Sequence, residues 1–258
     1  VKRIGFIGMG NMAQAIASGW ISQKLLTPDQ IYAYAPHYDK LKKNAEKIGF
    51  TACRDRKKLL EACDVFLMAC KPYQIEGILG EIKDDLKGKA LLSVAAGWNY
   101  ERYRAFLDPD TRFQYIMPNT PAMVGEGVLL FEETNSLEEE ERKKMMELFR
   151  ALGKVEIIPD HLMGVAMAIT GCGPAFIDMI IEGLGDAGVK YGLPRDKAYA
   201  LTSQMILGSA KLQLETGEHP GLLKDKVCSP AGTTIRGVDA LEHMGIRAAM
   251  IDAIDAIM

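Results

Sequence analysis

The residues best suited to chemistry lie near the carboxyl end, where Val227-Cys228-Ser229-Pro230-Ala231-Gly232-Thr233-Thr234 sets three hydroxyls around a Pro and a Gly, directly ahead of a helical pattern. Pro230 stops whatever helix precedes it, Gly232 lets the backbone turn, and Thr233 and Thr234 place hydroxyls and free N–H groups at a helix start. Such a terminus welcomes negative charge, so the block has the makings of a pocket for a small carboxylate. An ordinary N-cap loop shows the same local pattern, and the function turns on what accompanies it.

At the other end, Arg3-Ile4-Gly5-Phe6-Ile7-Gly8-Met9-Gly10-Asn11-Met12-Ala13 reads as a buried strand, a Gly-rich turn and a helix. This matches the dinucleotide fingerprint: Gly8 makes the tight turn, Gly10 admits the pyrophosphate to the backbone, and Ala13 lets the helix sit close to the strand. The second strand, Ile31 to Ala35, ends without the Asp or Glu that an NAD-selective protein presents to the ribose 2′-hydroxyl. In its place stand Pro36, His37 and Lys40, while Arg54 and Arg56 follow the third strand, Thr51-Ala52-Cys53. A missing acid beside several cations favours a 2′-phosphate, hence NADPH over NADH, with NAD possible. The same cations also fit a plain solvated face.

Three further loops leave strand ends. Ala69-Cys70-Lys71-Pro72 closes one strand, and Lys71 is placed to face a cofactor. Ser93-Val94-Ala95-Ala96-Gly97 closes the next with residues small enough for a flat group to lie on the backbone. Met117-Pro118-Asn119-Thr120-Pro121 follows the next, its prolines holding Asn119 with its amide free to hydrogen-bond. Each alone reads as an ordinary βα loop, but all three leave the same sheet edge, where ligands bind in doubly wound folds.

The elements that position these residues divide the chain in two. Across residues 1–160, apolar strand-like runs (64–70, 90–95, 113–117) alternate with helical ones, which argues a mainly parallel, doubly wound sheet. Near its end Ser136 and Glu139 read as a capping box, with Glu139/Lys143 and Glu140/Lys144 one turn apart, Gly153 closing the helix and Val155-Glu156-Ile157-Ile158 a last strand. Across residues 161–258 the pattern is helical: His161 to Tyr191, then Pro194 to Thr216, then a final helix with Ile246, Met250, Ile254 and Ile257 on one face. So thin a core predicts a homodimer built through this second domain.

Composition supports a soluble globular protein. The 258 residues carry a net charge of −3, which gives no reason to expect nucleic acid or an anionic membrane as partner. Five cysteines without metal-ligand spacing predict no metal site and a reducing cytoplasm. The chain enters its first strand at once, so no leader is expected, and the longest uncharged stretch, His161 to Ile177, falls short of a membrane span.

Together with Gly171-Cys172-Gly173-Pro174-Ala175-Phe176, these blocks, in this order and spacing, resemble the Δ1-pyrroline-5-carboxylate reductase family over nearly the whole chain. The resemblance implies a Rossmann domain followed by an all-α dimerisation domain, in some members assembled further into decamers. It also implies reduction of the cyclic imine pyrroline-5-carboxylate to proline by NAD(P)H. Carried over by position, Gly8, Met9, Gly10, Asn11, Met12, Ala35, Pro36, Arg56, Ala69, Cys70, Lys71, Pro72, Ala96, Gly97 and Asn119 meet the cofactor. Asn119, Val227, Ser229, Thr233 and Thr234 meet the substrate, with Thr234 the catalytic position. The chain departs from the family at Tyr115, where Arg is usual; at Cys172 and Phe176, where Ser and Tyr are usual; at Ala231, usually Gly; and at Lys226, often Gln or Asn.

The chemistry agrees. A hydroxy-acid dehydrogenase must move a proton at an alcohol oxygen and keeps a His or Lys beside the hydride path. A protonated cyclic imine is already electrophilic, and anchoring its carboxylate is the protein's main task. A β-hydroxy-acid dehydrogenase would carry a catalytic Lys on its interdomain helix, and residues 171–188 contain none. A non-catalytic NADP-binding sensor would have no need of the carboxylate donors.

Overall fold

In the computed structural model, which describes residues 3–258, the apolar run after Arg3 forms β1 (Ile4–Ile7), buried at every position. Around it lie β2 (Ile31–Tyr34), β3 (Thr51–Ala52), β4 (Val65–Met68), β5 (Ala90–Ser93), β6 (Arg112–Pro118), β7 (Gly127–Glu132) and β8 (Gly153–Ile158). Their order is β3-β2-β1-β4-β5-β6-β7-β8. Every neighbouring pair is parallel except β6 and β7, which run antiparallel. The first six strands have the doubly wound order, with its switch point between β1 and β4. Strand β7 was not among the expected strands.

Helices cover both faces: α1 (Asn11–Ser22), α2 (Tyr38–Ile48), α3 (Arg56–Ala62), α4 (Ile75–Ile82), α5 (Tyr100–Arg104) and α6 (Glu139–Arg150). On one face Ile4, Phe6, Leu67, Leu92 and Phe131 pack against α1 and α6, with Trp20 tilted against Phe6 and edge-on to Phe149, and donating its indole N–H to the Leu148 carbonyl at 2.8 Å. On the other, Ile7, Phe66, Leu91, Phe113 and Leu130 pack against Leu59, Leu79 and Tyr103. The alternation along each strand supplies both cores at once.

The Ser136/Glu139 capping box does not form. Glu138 is the N-cap of α6, and Ser136 instead serves the sheet edge, its Oγ accepting the Phe113 N–H at 2.8 Å. Lys143 pairs with both Glu139 and Glu140, at 3.3 and 3.5 Å, so the second pair is not the expected Glu140/Lys144. Gly153 begins β8 rather than closing α6; its φ of 141° and its close approach to the Gly127 backbone leave no room for a side chain.

The chain separates into two compact units, the second being Cys172–Met258. Helices α7 (Met163–Met167), α8 (Gly173–Lys190), α9 (Arg195–Thr216), α10 (Pro220–Lys226), α11 (Thr233–His243) and α12 (Ile246–Asp255) complete the fold, with a π-turn at Ala168–Cys172. Within the second unit α8 and α9 meet closely: a methyl added at Gly185 would collide with the Tyr199 ring at 2.5 Å. Among the described residues, Ala198 is the one buried apolar side chain of this unit, while Met179, Leu201, Leu207, Leu214 and Ile251 are exposed. The helical run Asp160–Lys190 extends over 31 residues with mean hydropathy 1.6 in its most apolar stretch. By length and composition it is therefore sufficient to cross a membrane, against the expectation from the uncharged stretch alone.

Candidate functional site

A cleft of about 720 Å³ opens at the carboxyl ends of β1, β2, β4 and β5. The structure brings Gly8 to Met12, Ala35, Pro36, Arg56, Ala69 to Pro72 and Ala96 together along its lining. Gly8 has φ 98°, and a Cβ there would meet the Ala69 carbonyl oxygen at 2.7 Å, so only Gly fits this turn. Gly10, the N-cap of α1, differs: a Cβ there meets nothing within 4 Å. The protein itself gives no steric reason for Gly10, whereas a phosphate resting on the helix N-terminus would.

The rim is cationic. His37, Lys40, Lys71 and Arg56 line the cleft, and among the described residues no Asp or Glu does. Arg54 stacks instead over the Tyr38 ring at 4.3 Å. Arg56 reaches over the Tyr34 ring at 5.6 Å and pairs through Nη2 with Glu81, while its Nη1 is buried without a hydrogen-bond partner. A guanidinium with one nitrogen left unpaired suits an anionic group. Burial pushes the Cys70 thiol up to about 11, so it lines the wall as a neutral group.

The β5 loop is held from beneath. Ser93 Oγ receives the Tyr103 hydroxyl at 2.9 Å and the Ala95 N–H at 3.2 Å. Gly97 turns with φ 75°, and its carbonyl accepts from Arg102 at 3.3 Å. It lies beyond the cleft lining, as does Asn119. The amide of Asn119 is not free. Its Nδ2 donates to the Thr170 carbonyl at 2.9 Å, and its Oδ1 accepts the Val128 N–H at 2.9 Å, so this buried side chain ties the β6 loop to β7.

The hydroxyl block lies in the second unit. Helix α10 ends at Lys226, ahead of Pro230, so the proline does not terminate it. The turn falls on Ala231, at φ 57°, rather than on Gly232, whose backbone is extended. Gly232 packs closely for another reason: a Cβ there would meet the Ser229 hydroxyl at 2.3 Å and the Ser229 carbonyl oxygen at 3.0 Å. Thr233 and Thr234 open α11, which has no side-chain cap. Val227, Ser229, Thr233 and Thr234 are all exposed, and among the described residues no protein partner occupies the three hydroxyls. The start of this eleven-residue helix thus presents free N–H groups and unengaged hydroxyls, donors of the kind that suit an anion.

Comparison with known proteins matches both halves. Residues 160–258 fit the family model described as pyrroline-5-carboxylate reductase dimerisation, and residues 3–97 fit NADP oxidoreductase coenzyme F420-dependent. A pyrroline-5-carboxylate reductase of Treponema pallidum is 39% identical, covering 99% of this chain and 98% of its own. That of Escherichia coli is 38% identical, covering 100% and 96%. The crystal structure of Plasmodium falciparum pyrroline carboxylate reductase with NADP bound superposes with a TM-score of 0.89 at 29% identity, covering 99% and 95%.

Proposed function

The chain belongs to the pyrroline-5-carboxylate reductase family, and from that premise we infer that it reduces Δ1-pyrroline-5-carboxylate to L-proline, the last step of proline biosynthesis. The full-length likeness to reductases of that name carries the reaction. The open space at Gly10 and the unpartnered Arg56 Nη1 support a phosphorylated dinucleotide in the cleft. NADPH is therefore the preferred cofactor and NADH a possible one; when bound, it supplies hydride to the imine carbon.

The chain's own residues bind and orient. Gly8 to Met12 receive the pyrophosphate at the start of α1, Arg56 meets the 2′-phosphate, Ala35, Pro36, Ala69 to Pro72 and Ala96 complete the wall, and Gly97 turns the loop behind it. Thr234, with Thr233, Ser229 and the Val227 backbone, takes the substrate carboxylate. Asn119 acts by fixing the loop after β6, since both ends of its amide are committed to the protein. No side chain has to deliver a proton for the hydride step, because a protonated imine is already electrophilic.

The exposed apolar faces of the second unit are closed by a second copy, giving a homodimer, with decamers as a further level of assembly. We place the protein in the cytoplasm, away from membranes and nucleic acid. The five free cysteines accord with a reducing compartment, and a partner helix, rather than lipid, accounts for the apolar run at Asp160–Lys190. Nicotinamide absorbance followed with pyrroline-5-carboxylate and each cofactor in turn tests the reaction. Turnover with preference for NADPH is expected, and tight cofactor binding without turnover would instead identify a sensor.

A further inference from the structure

Glu132 ends β7 with only 1% of its surface exposed. The antiparallel register pairs Ile116 with Phe131 and Met117 with Leu130, so one step further Tyr115 and Glu132 stand opposite each other on the same face. Glu132 reaches the loop that follows the cleft-lining Val94, Ala95 and Ala96. The Glu132 carboxylate accepts the Tyr100 N–H at 2.7 Å, at the first residue of α5. The Tyr115 hydroxyl donates to the Met117 sulfur at 3.6 Å. The loop that turns at Gly97 is thus held at its Tyr100 end by the last residue of β7.

The charged and titratable groups around Glu132 are few. Tyr115 faces it from β6, where burial pushes the phenol up to about 12 and keeps it neutral. Asp160, after β8, adds a like charge. Arg142, from α6, spends its guanidinium on the main-chain carbonyls of Glu132 and Glu133 and on Gln114, not on the carboxylate. Glu132 therefore has no cation to share its charge, and burial, opposed by the Tyr100 N–H, raises its carboxyl to about 7.

We propose that Glu132 is a positioning residue for the cofactor cleft: its ionised carboxylate, opposite Tyr115, anchors the Tyr100 N–H and with it the Ala95–Tyr100 loop, so that acidification weakens cofactor binding through this loop. The inference rests on the cleft being the dinucleotide site. A carboxylate holds an N–H about twice as strongly as a neutral acceptor does, so protonation loosens the loop without unfolding it.

The test is titration of the whole protein with NADP+, which is stable in acid, from pH 8 to pH 5.5, in wild type, Glu132→Gln and Glu132→Leu. Binding by wild type at pH 8 establishes the cleft reading first; its absence would overturn that reading instead. The ligand's own 2′-phosphate also titrates in this range and His37 lines the cleft, but both are the same in all three proteins. The glutamine amide accepts from Tyr100 at every pH. Wild type is therefore expected to lose about fivefold more affinity across the range than Glu132→Gln does. Glu132→Leu should be weak throughout and flat in the same comparison. Parallel pH profiles for wild type and Glu132→Gln would overturn the proposal. Hydrogen exchange at the Tyr100 amide reads the same step directly: it should quicken on acidification, relative to neighbouring amides, in wild type alone.

Discussion

Replacing Arg56 by Ala should weaken NADPH about ten- to thirtyfold while leaving NADH within about twofold. The magnitude follows from how the guanidinium is already used. Nη2 is engaged by Glu81, whereas Nη1 is buried and unpartnered, so one charge-assisted hydrogen bond remains for a 2′-phosphate. Such a bond contributes about 1.5–3 kcal/mol. The lower part of that range applies, because the phosphate must share the cation with Glu81. That competition is mild: the Glu81 side chain is 63% exposed, and ion pairs of this kind contribute about 1 kcal/mol or less. Glu81→Gln should accordingly move the other way, tightening NADPH by up to about threefold and leaving NADH unchanged. Both variants are read by titrating each cofactor at one fixed ionic strength, since screening alters every phosphate contact. Equal losses of both cofactors in Arg56→Ala, or weaker NADPH binding in Glu81→Gln, would falsify the assignment of Arg56 to the 2′-phosphate.

Other substitutions probe separate parts of the chain. Thr234→Val should raise the KM for pyrroline-5-carboxylate about ten- to a hundredfold and leave NADPH binding alone; unchanged kinetics would make the hydroxyl block purely structural. Ala231→Gly should relieve a left-handed residue, a gain of about 1–2 kcal/mol reduced by the extra freedom of Gly in the unfolded chain, for a net of about 0.5–1 kcal/mol. Thermal unfolding at fixed protein concentration should then rise by about 2 °C, and a fall would contradict the turn. Glu132→Gln carries a pH signature in stability. The wild-type carboxyl keeps its proton to about 7 in the fold but only to 4.5 when unfolded, so its contribution is complete below pH 4.5 and lost as pH rises through 7. The variant should gain up to about 3 kcal/mol over wild type at pH 8 and little at pH 4, measured by denaturant unfolding; a pH-independent difference would count against the buried charge.

Part of the local geometry was legible in the sequence. The Gly8 turn, the Lys71-Pro72 exit and the Thr233 helix start each follow from residues a few positions apart, and each stands where those residues require. What the sequence left dark depends on partners far along the chain. Gly127 to Glu132 is an apolar run of strand length, but nothing local distinguishes it from the loop begun at Pro118. Its direction comes from the short link after β6, which is too short for a parallel crossover and so must reverse the chain. That reversal has chemical consequences. It brings the Val128 N–H to Asn119, turning an amide that reads as a free ligand donor into a clamp. It also draws Ser136 to the Phe113 N–H and away from the helix it would otherwise cap. Finally, it sets Glu132 opposite Tyr115. A glutamate followed by Glu133 reads as the solvated end of a strand; only the register reveals it as buried. The same register gives the family's usual Arg at position 115 a meaning that spacing alone did not, since a cation there would stand across from the Glu132 carboxylate. With Tyr in that place the carboxylate is left to a single backbone N–H. The departure at Tyr115 thus falls opposite the residue that holds the Tyr100 end of the loop, and Glu132 does not read as part of the site until the sheet is assembled.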